Sequence, residues 1–217
     1  MDFAFSAEQD DLRRETRAFL EANPAPTQDQ LAELGWVGIL GSDELTFLDA
    51  AVLFEELGRV HYDGPWVEAE IGDDRSQLLA AYALQAVGIG AKVVELAVAY
   101  AGEREQFGKK IGTYQAISHP LVDAYVAVEL ARSLAYWAAW CVAEGDDQAG
   151  LACAAAKSQA TEAAVRACET SIQVHGGIGF TWEHPLHRYY KRALWLDAAL
   201  GYGREHRAEV AASLLSS

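Results

Sequence analysis

Long alanine-rich stretches fill most of the chain after residue 75, and they constrain the fold more than any other feature of the sequence. Their apolar residues recur at helical spacing, over about 75–102, 114–144, 146–174 and 184–215. Because only short polar breaks separate the four stretches, neighbouring helices are predicted to run antiparallel as an up-down bundle. No segment shows the period-two alternation of a strand, so the predicted fold class is all-α, without strands.

Shorter helical patterns precede this bundle, and the polar run over 61–66 is the best candidate for a boundary. We therefore divide the chain into an N-terminal helical segment, 1–66, and a C-terminal four-helix bundle, 72–217. Ser6 has the residue type of an N-cap and is followed by acidic residues, which favours a helix start there. The helices predicted for the N-terminal segment span about 6–23, 27–34 and 43–58.

Composition places the chain among globular proteins and argues against two classes of partner. Of its 217 residues, 51% are hydrophobic and 23% are charged. The formal net charge of −15 disfavours nonspecific binding to nucleic acid or to an anionic membrane. The first residues lack the apolar segment of a signal peptide, and charges interrupt the alanine-rich runs, so we expect a cytoplasmic protein without a membrane span. Buried, reduced thiols are expected for Cys141, Cys153 and Cys168.

A glycine-rich link joins the third and fourth stretches. Gly176 and Gly177 carry no Cβ and tolerate the positive φ that ends a helix, so a flat or anionic ligand can approach their backbone closely. Thr181 is predicted to cap the next helix, with Pro185 early in it. Taken alone, the link is better explained as an ordinary interhelical turn.

A second unusual segment, 104–115, follows the first long stretch. Arg104, Lys109 and Lys110 form a local basic cluster in a chain with only 17 lysines and arginines. Cations at a helix C-terminus complement its dipole, which accounts for the lysines. It accounts less well for an arginine, a glutamine and an aromatic residue in one turn that contains glycine. A guanidinium suits a phosphate or pyrophosphate.

Another basic cluster follows the glycine link, and a functional role and an ordinary solvated helix face explain it equally well. It consists of Arg188, Lys191 and Arg192, with His184 and His187 nearby. The histidines match no recognised set of metal ligands. The sequence contains no nucleophile elbow, phosphate-binding loop or dinucleotide fingerprint, so no catalytic signature stands out.

The two segments together resemble the two flavin signatures of the acyl-CoA dehydrogenase family. The first match is Arg104-x-Gln106-Phe107-Gly108-x-x-Ile111-x-x-x-Gln115. The second is Gln173-x-x-Gly176-Gly177-x-Gly179-Phe180, continuing into Glu183-x-Pro185 and Arg188. The resemblance covers nearly the whole chain. It is closest to actinobacterial members, including those of sterol and bile-acid-type side-chain degradation.

This resemblance implies an FAD that is shared across a subunit interface. The residues expected to contact its pyrophosphate and ribityl region are Arg104, Phe107 and Gln115. Gln106 and Gly108 belong to the same turn and are also expected to bind the cofactor. The residues expected to approach the adenosine part of an FAD held by a neighbouring subunit are Gln173, Gly176 and Gly177. Members of the family oxidise a fatty acyl-CoA: a glutamate takes the α proton while hydride passes to the flavin.

The chain departs from the family pattern in two places. Only 60–74 fills the position of the middle β-barrel domain, which normally covers one face of the flavin ring. The catalytic glutamate is also missing, because Leu200 and the region of Gln77 occupy its two family positions. Asp197 lies one turn before Leu200 and is a weak candidate to replace it. An ordinary exposed helical carboxylate explains Asp197 better.

Three hypotheses remain open. The leading one is a truncated acyl-CoA dehydrogenase-type subunit that builds half of a flavin or acyl-CoA site in a homodimer or heterotetramer, with a full-length partner supplying the barrel and the base. The second is a helical scaffold that has lost flavin and serves as a non-redox enzyme on an acyl or polyketide-like substrate, or as a structural partner. The third is an intrinsic dehydrogenase that uses Asp197.

Overall fold

The computed structural model of the chain describes residues 5–41 and 45–216, and most of the described residues are helical. The helices are α1 (Ala7–Ala22), α2 (Gln28–Glu33), α3 (Phe47–Arg59), α4 (Trp66–Ile71), α5 (Arg75–Glu103), α6 (Gln115–Glu144), α7 (Ala149–His175), α8 (Leu186–Ala198) and α9 (Gly203–Leu215). One hairpin of two short strands, β1 (Glu105–Gln106) and β2 (Lys109–Lys110), joins α5 to α6. The prediction of an all-α fold with a C-terminal helical bundle and no β-domain is confirmed.

Helices α1, α2 and α3 each begin directly after a capping residue. Ser6, Thr27 and Thr46 each accept a hydrogen bond from a backbone N–H in the first turn, and a side chain three residues later bonds back to the cap. The predicted starts of the first two helices agree with this. The predicted start of the third helix, Asp43, lies outside the described residues; α3 begins at Phe47.

The backbones of α3 and α5 touch where two glycines leave room. A Cβ on Gly58 would lie 2.0 Å from the carbonyl oxygen of Gln85, and a Cβ on Gly88 would lie 1.9 Å from that of Glu55. Both positions therefore require glycine for steric reasons. The contact joins the N-terminal segment to the bundle through one continuous apolar core. The proposed division at 66–72 remains a prediction.

Two buried carboxylates in α3 tie this helix to α1 and α6. Glu55 is 3% exposed and accepts hydrogen bonds from Arg132 of α6, at 2.9 Å, and from the Tyr136 hydroxyl, at 2.8 Å. Glu56 is 1% exposed and accepts two bonds from Arg17 of α1, at 2.6 and 2.8 Å. Buried charges are tolerated only when they are paired and hydrogen-bonded in this way. Arg59 extends the network by donating to Glu95 of α5.

Three details of the sequence-based prediction are wrong. Short strands do occur, because the turn at Phe107 and Gly108 folds back as a hairpin. The last long stretch is two helices, α8 and α9, separated at Leu200, where the backbone enters the left-handed region with φ 59°. Thr181 does not cap α8: its hydroxyl donates to the Ile178 carbonyl, and Pro185 is the N-cap residue instead.

Two helices among the described residues, α5 and α6, are long and apolar enough to cross a membrane by length and composition. The apolar window of α5 is 72% buried inside the protein, as in the core helix of a globular fold. The window of α6 is only 33% buried. Its outer face exposes an apolar strip that consists of Val122, Tyr125, Val126 and Leu130.

We expect Glu56→Gln to lower the free energy of unfolding by about 3 kcal/mol, because it removes the carboxylate that compensates a partly buried arginine. Glu33→Gln is the matched control, since Glu33 is an exposed glutamate of α2. It should change stability by less than about 0.5 kcal/mol. Urea denaturation followed by circular dichroism measures both. Equal stability of the two variants would show that the Glu56 pairs contribute nothing.

Candidate functional site

The segment that carries the first signature is a tight hairpin fixed to the end of α5. The Arg104 N–H donates to the Tyr100 carbonyl at 2.8 Å, and the Ile111 N–H donates to the Arg104 carbonyl at 2.8 Å. Tyr114 supports the hairpin from outside, since its hydroxyl donates to the Gln106 carbonyl at 3.1 Å. The Lys109 ammonium lies 4.1 Å from the centre of the Tyr114 ring. These contacts hold the turn in one conformation.

Phe107 occupies a strained position at the tip of this hairpin. Its φ is 54° and that of Gly108 is 80°, as a two-residue turn with positive φ at both positions requires. Such a φ is uncommon for an aromatic residue. Phe107 is nevertheless 94% exposed, so it gains almost no packing from the described residues. Strain combined with exposure points to a role outside this chain's own stability.

The second signature forms the corner between α7 and α8. Gly176 ends α7 with φ 62°, and its N–H donates to the carbonyl oxygens of Gln173 and Ile172. The chain then makes one short 3₁₀ segment, Gly176–Phe180. Gln173, Gly176 and Gly177 are all exposed. The corner therefore presents a side-chain amide and bare backbone to the outside.

The glycines of this corner serve different purposes. A Cβ on Gly179 would lie 2.8 Å from the Ile172 carbonyl oxygen, so packing requires glycine there. Gly176 needs its positive φ. At Gly177, in contrast, a Cβ would meet no atom within 4 Å. Nothing within the described part of the chain demands a glycine at that position, which leaves close approach by an external group as the remaining steric reason.

An aromatic stack brings the hairpin and the glycine corner to the same end of the bundle. The ring of Tyr100, one turn before Arg104, stacks on His175 with centroids 4.4 Å apart. His175 in turn contacts His184 at 4.5 Å. Burial, with the nearby charges of His175 and His187, holds the pKa of His184 below its ordinary value. A small apolar cluster packs beneath the site: Ala97, Ala101, Leu121 and Val174.

Three polar side chains at this end have no partner among the described residues. Arg104 has neither a carboxylate within 4 Å nor a side-chain hydrogen bond there, and Gln115 and Gln173 make no side-chain hydrogen bond. All three are exposed. Gln106 differs, because its amide donates to the Glu105 carbonyl at 2.7 Å. The free guanidinium and amides are the groups that can bind an anionic, hydrogen-bonding ligand.

Asp197, the weak candidate for a base, lies at the opposite end of α8 from the glycine corner. Its carboxylate accepts a hydrogen bond from the Thr161 hydroxyl at 2.8 Å. Its backbone carbonyl accepts a hydrogen bond from Lys157, which is fully buried. Burial lowers the pKa of Lys157 to about 8, although the nearby charge of Asp197 opposes that shift. Leu200, in the family position of the glutamate, is half-exposed in the turn after α8. A catalytic role for Asp197 remains a prediction.

Sequence reasoning missed two features of this region. The stack of Tyr100 on His175 was not anticipated, because it forms between helices that are far apart in sequence. Lys157 was also missed, although a lone lysine within an alanine-rich stretch is a recognisable signal for a buried cation that bonds helix-end carbonyls. It donates to the Asp197 and Gly201 carbonyls, both at 3.3 Å.

Comparison with known proteins identifies the family of the chain. Residues 80–215 match the family model described as acyl-CoA dehydrogenase, C-terminal domain. The chain is 41% identical over 123 residues to acyl-CoA dehydrogenase IpdE2 of Mycobacterium tuberculosis, covering 57% of the chain and 36% of that protein. It is 40% identical over 140 residues to acyl-CoA dehydrogenase FadE34 of the same organism, covering 63% and 20%.

A solved structure shows the same fold. The chain superposes on one chain of the crystal structure of the ChsE4–ChsE5 complex from Mycobacterium tuberculosis with a TM-score of 0.88 and 18% identity, covering 100% of each of the two chains. The sequence matches to IpdE2 and FadE34 span less than half of the length of those relatives. Because the family model spans more than half of the chain and contains both signatures, this chain belongs to the acyl-CoA dehydrogenase family.

Proposed function

We propose that the chain is an acyl-CoA dehydrogenase-type subunit that contributes the hairpin and the glycine corner to an FAD shared with a second chain. The observation that carries the proposal is the placement of both signatures at one end of the bundle, with Arg104 and Gln173 exposed and unpartnered within the described residues. A self-contained scaffold has no use for such groups.

The residues at this end fit a flavin dinucleotide. The Arg104 guanidinium would bind the pyrophosphate, with Gln115 beside it and Phe107 against the neighbouring flat or apolar part. Gln173 would donate to the adenosine portion, and the open backbone at Gly177 would let that portion come close. When bound, FAD accepts a hydride from the acyl substrate. The protein's own contribution is to bind and orient the cofactor.

A partner chain is part of the proposal because this chain lacks two components of a complete site. Leucine cannot accept a proton, so Leu200 cannot abstract one from the α carbon of an acyl group. Between α3 and α5 the chain has only a turn and the two-turn helix α4, which is too short for a barrel over the flavin ring. In our proposal a full-length subunit supplies the base and the lid, and the acyl-CoA substrate lies mainly against that subunit.

The outer face of α6 is the surface we propose for this association. Its exposed apolar strip starts beside the hairpin and runs along the helix, so the same partner can cover the strip and hold the flavin. The structural relative described above is, by its name, a complex of two different proteins, ChsE4 and ChsE5. A homodimer is the alternative arrangement, with the same surface buried between two copies.

Flavin should appear only when the two kinds of chain are combined. We expect the purified chain alone to show no flavin absorbance. Co-expression with the product of any neighbouring gene for a full-length acyl-CoA dehydrogenase should yield a yellow complex that co-elutes in size-exclusion chromatography. Absence of flavin from both preparations would contradict the proposal and favour the flavin-free scaffold. Flavin and dye reduction by the chain alone, abolished by Asp197→Asn, would favour an intrinsic dehydrogenase.

Within such a complex, Arg104→Gln should weaken FAD binding by about tenfold or more, because a charge-assisted hydrogen bond contributes about 1.5–3 kcal/mol. Gly177→Ala should also weaken it, while leaving the melting temperature of the isolated chain unchanged, since the added Cβ meets open space. Fluorescence titration of the apo-complex with FAD measures both effects.

Matched controls for these variants exist in the chain. Gly150→Ala adds a Cβ to another open position, near the start of α7. Arg204→Gln removes an exposed arginine from α9. Both should bind FAD as the wild type does. Unchanged FAD affinity in Arg104→Gln and Gly177→Ala, with the complex intact, would place the cofactor elsewhere.

A further inference from the structure

The basic cluster of α8 faces a cleft that the flavin proposal does not use. The cleft has a volume of about 820 Å³ and lies between α8 and the 61–68 region that leads into α4. It is lined by Arg188, Lys191 and Arg192, and none of the residues assigned to flavin contributes to it. Its size is that of a small-molecule binding site.

Arg192 is the unusual residue of this cleft. It is 8% exposed, and no carboxylate of the described residues lies within 4 Å of its guanidinium. Its Nε–H has no hydrogen-bond acceptor there. Desolvation by burial lowers the pKa of Arg192, and the more distant acids Glu68 and Asp63 oppose that effect only in part. A buried cation without a counter-ion is costly, so this position favours an anion from outside.

The neighbours of Arg192 orient it rather than neutralise it. The Nη2 group donates to the Gln85 side-chain oxygen at 2.8 Å. The guanidinium carbon lies 4.2 Å from the centre of the Trp195 ring, and Trp195 also lines the cleft. Both contacts hold a charged planar group in place without supplying negative charge. Arg192 is therefore prepositioned for a ligand.

The rim of the cleft adds further positive charge and an aromatic wall. Arg188 and Lys191 are exposed and form no ion pair among the described residues, whereas most other arginines of the chain do. The Lys191 ammonium lies 4.5 Å from the centre of the Trp182 ring, which is 79% exposed. In a chain of net charge −15, three unpaired cations around one cleft attract an anion.

Two acids in the same cleft limit how much negative charge the ligand carries. Glu68 accepts a hydrogen bond from the Tyr82 hydroxyl at 2.8 Å, and its second oxygen is buried without a donor. Asp63 lies on the exposed side. Both would repel a multiply charged phosphate more than a singly charged carboxylate. The tryptophans and prolines of the wall suit an apolar body on the ligand.

We propose that this cleft binds an organic acid, with its carboxylate on the guanidinium of Arg192 and its apolar part against Trp195 and Trp182. The inference goes beyond the flavin-linked function and does not depend on it, because the cleft is built by this chain alone. Arg188 and Lys191 would steer the acid to the cleft, and Arg192 would hold it.

Calorimetric titration of the isolated chain with octanoate and with octanamide tests the proposal, because the two probes share an apolar body and differ in charge. Octanoate should bind at least about tenfold more tightly than octanamide. Arg192→Gln should reduce octanoate binding to the level of octanamide. Arg188→Glu combined with Lys191→Glu should weaken octanoate binding and leave octanamide unaffected. Arg204→Glu combined with Arg207→Glu, both on the exposed surface of α9, is the charge-matched control and should bind both probes as the wild type does.

Circular dichroism decides whether Arg192→Gln is folded, and the rim variant provides the test if it is not. Equal affinities for octanoate and octanamide would overturn the proposal, as would no measurable octanoate binding or unchanged octanoate affinity in the folded variants. Binding of AMP without binding of octanoate would also overturn it, since the site would then select a phosphate.

Discussion

The arrangement of the chain depends on two carboxylates buried in α3. Glu55 and Glu56 are adjacent in sequence, so they leave the helix in different directions, and their hydrogen-bonded arginines belong to different helices. Glu56 holds Arg17 of α1, and Glu55 holds Arg132 of α6. Apolar packing alone would let smooth, alanine-rich helices slide along one another, because small side chains interlock weakly. The ion pairs fix the position of the helices along one another. Their disadvantage is that a buried ionic network loses stability when any one partner is removed.

The end of α3 also determines where the cleft forms. The carbonyl oxygen of Arg59, at the end of α3, accepts a hydrogen bond from the Tyr189 hydroxyl of α8 at 2.8 Å. Gln85, whose backbone lies against Gly58 of α3, binds Arg192 one turn further along α8. The end of α3 thus anchors α8 once directly, through the Arg59 carbonyl, and once through Gln85 of α5. The chain that leaves α3 at His61 then forms the opposite wall of the cleft.

Sequence reasoning recovered the features that depend on local patterns. Ser6 was identifiable as a cap, and the two signatures were identifiable from the types and spacing of their residues. The remaining features depend on contacts between distant parts of the chain. A buried role for Glu55 cannot be deduced without knowing that Arg132 lies opposite it. The division of the last stretch was missed because Leu200 adopts a left-handed conformation that its residue type does not favour. From the sequence, the basic cluster of α8 was compatible both with a ligand site and with a solvated helix face. The structure distinguishes its members, because Arg192 is buried at the cleft and its neighbours Arg188 and Lys191 are exposed.

The position of α8 is also compatible with our proposal that the chain lacks the family's base and retains contacts to the cofactor. The glycine corner precedes this helix and Leu200 follows it, so about 18 Å of helix separates them. Substitutions that far apart, with no shared contacts, act independently on structure. Leucine at position 200 therefore leaves the hairpin, the Tyr100–His175 stack and the open backbone at Gly177 intact. In the function we propose, a subunit that does not abstract a proton itself would still hold one half of a dinucleotide for a chain that does, because the glycine corner and position 200 lie at opposite ends of α8.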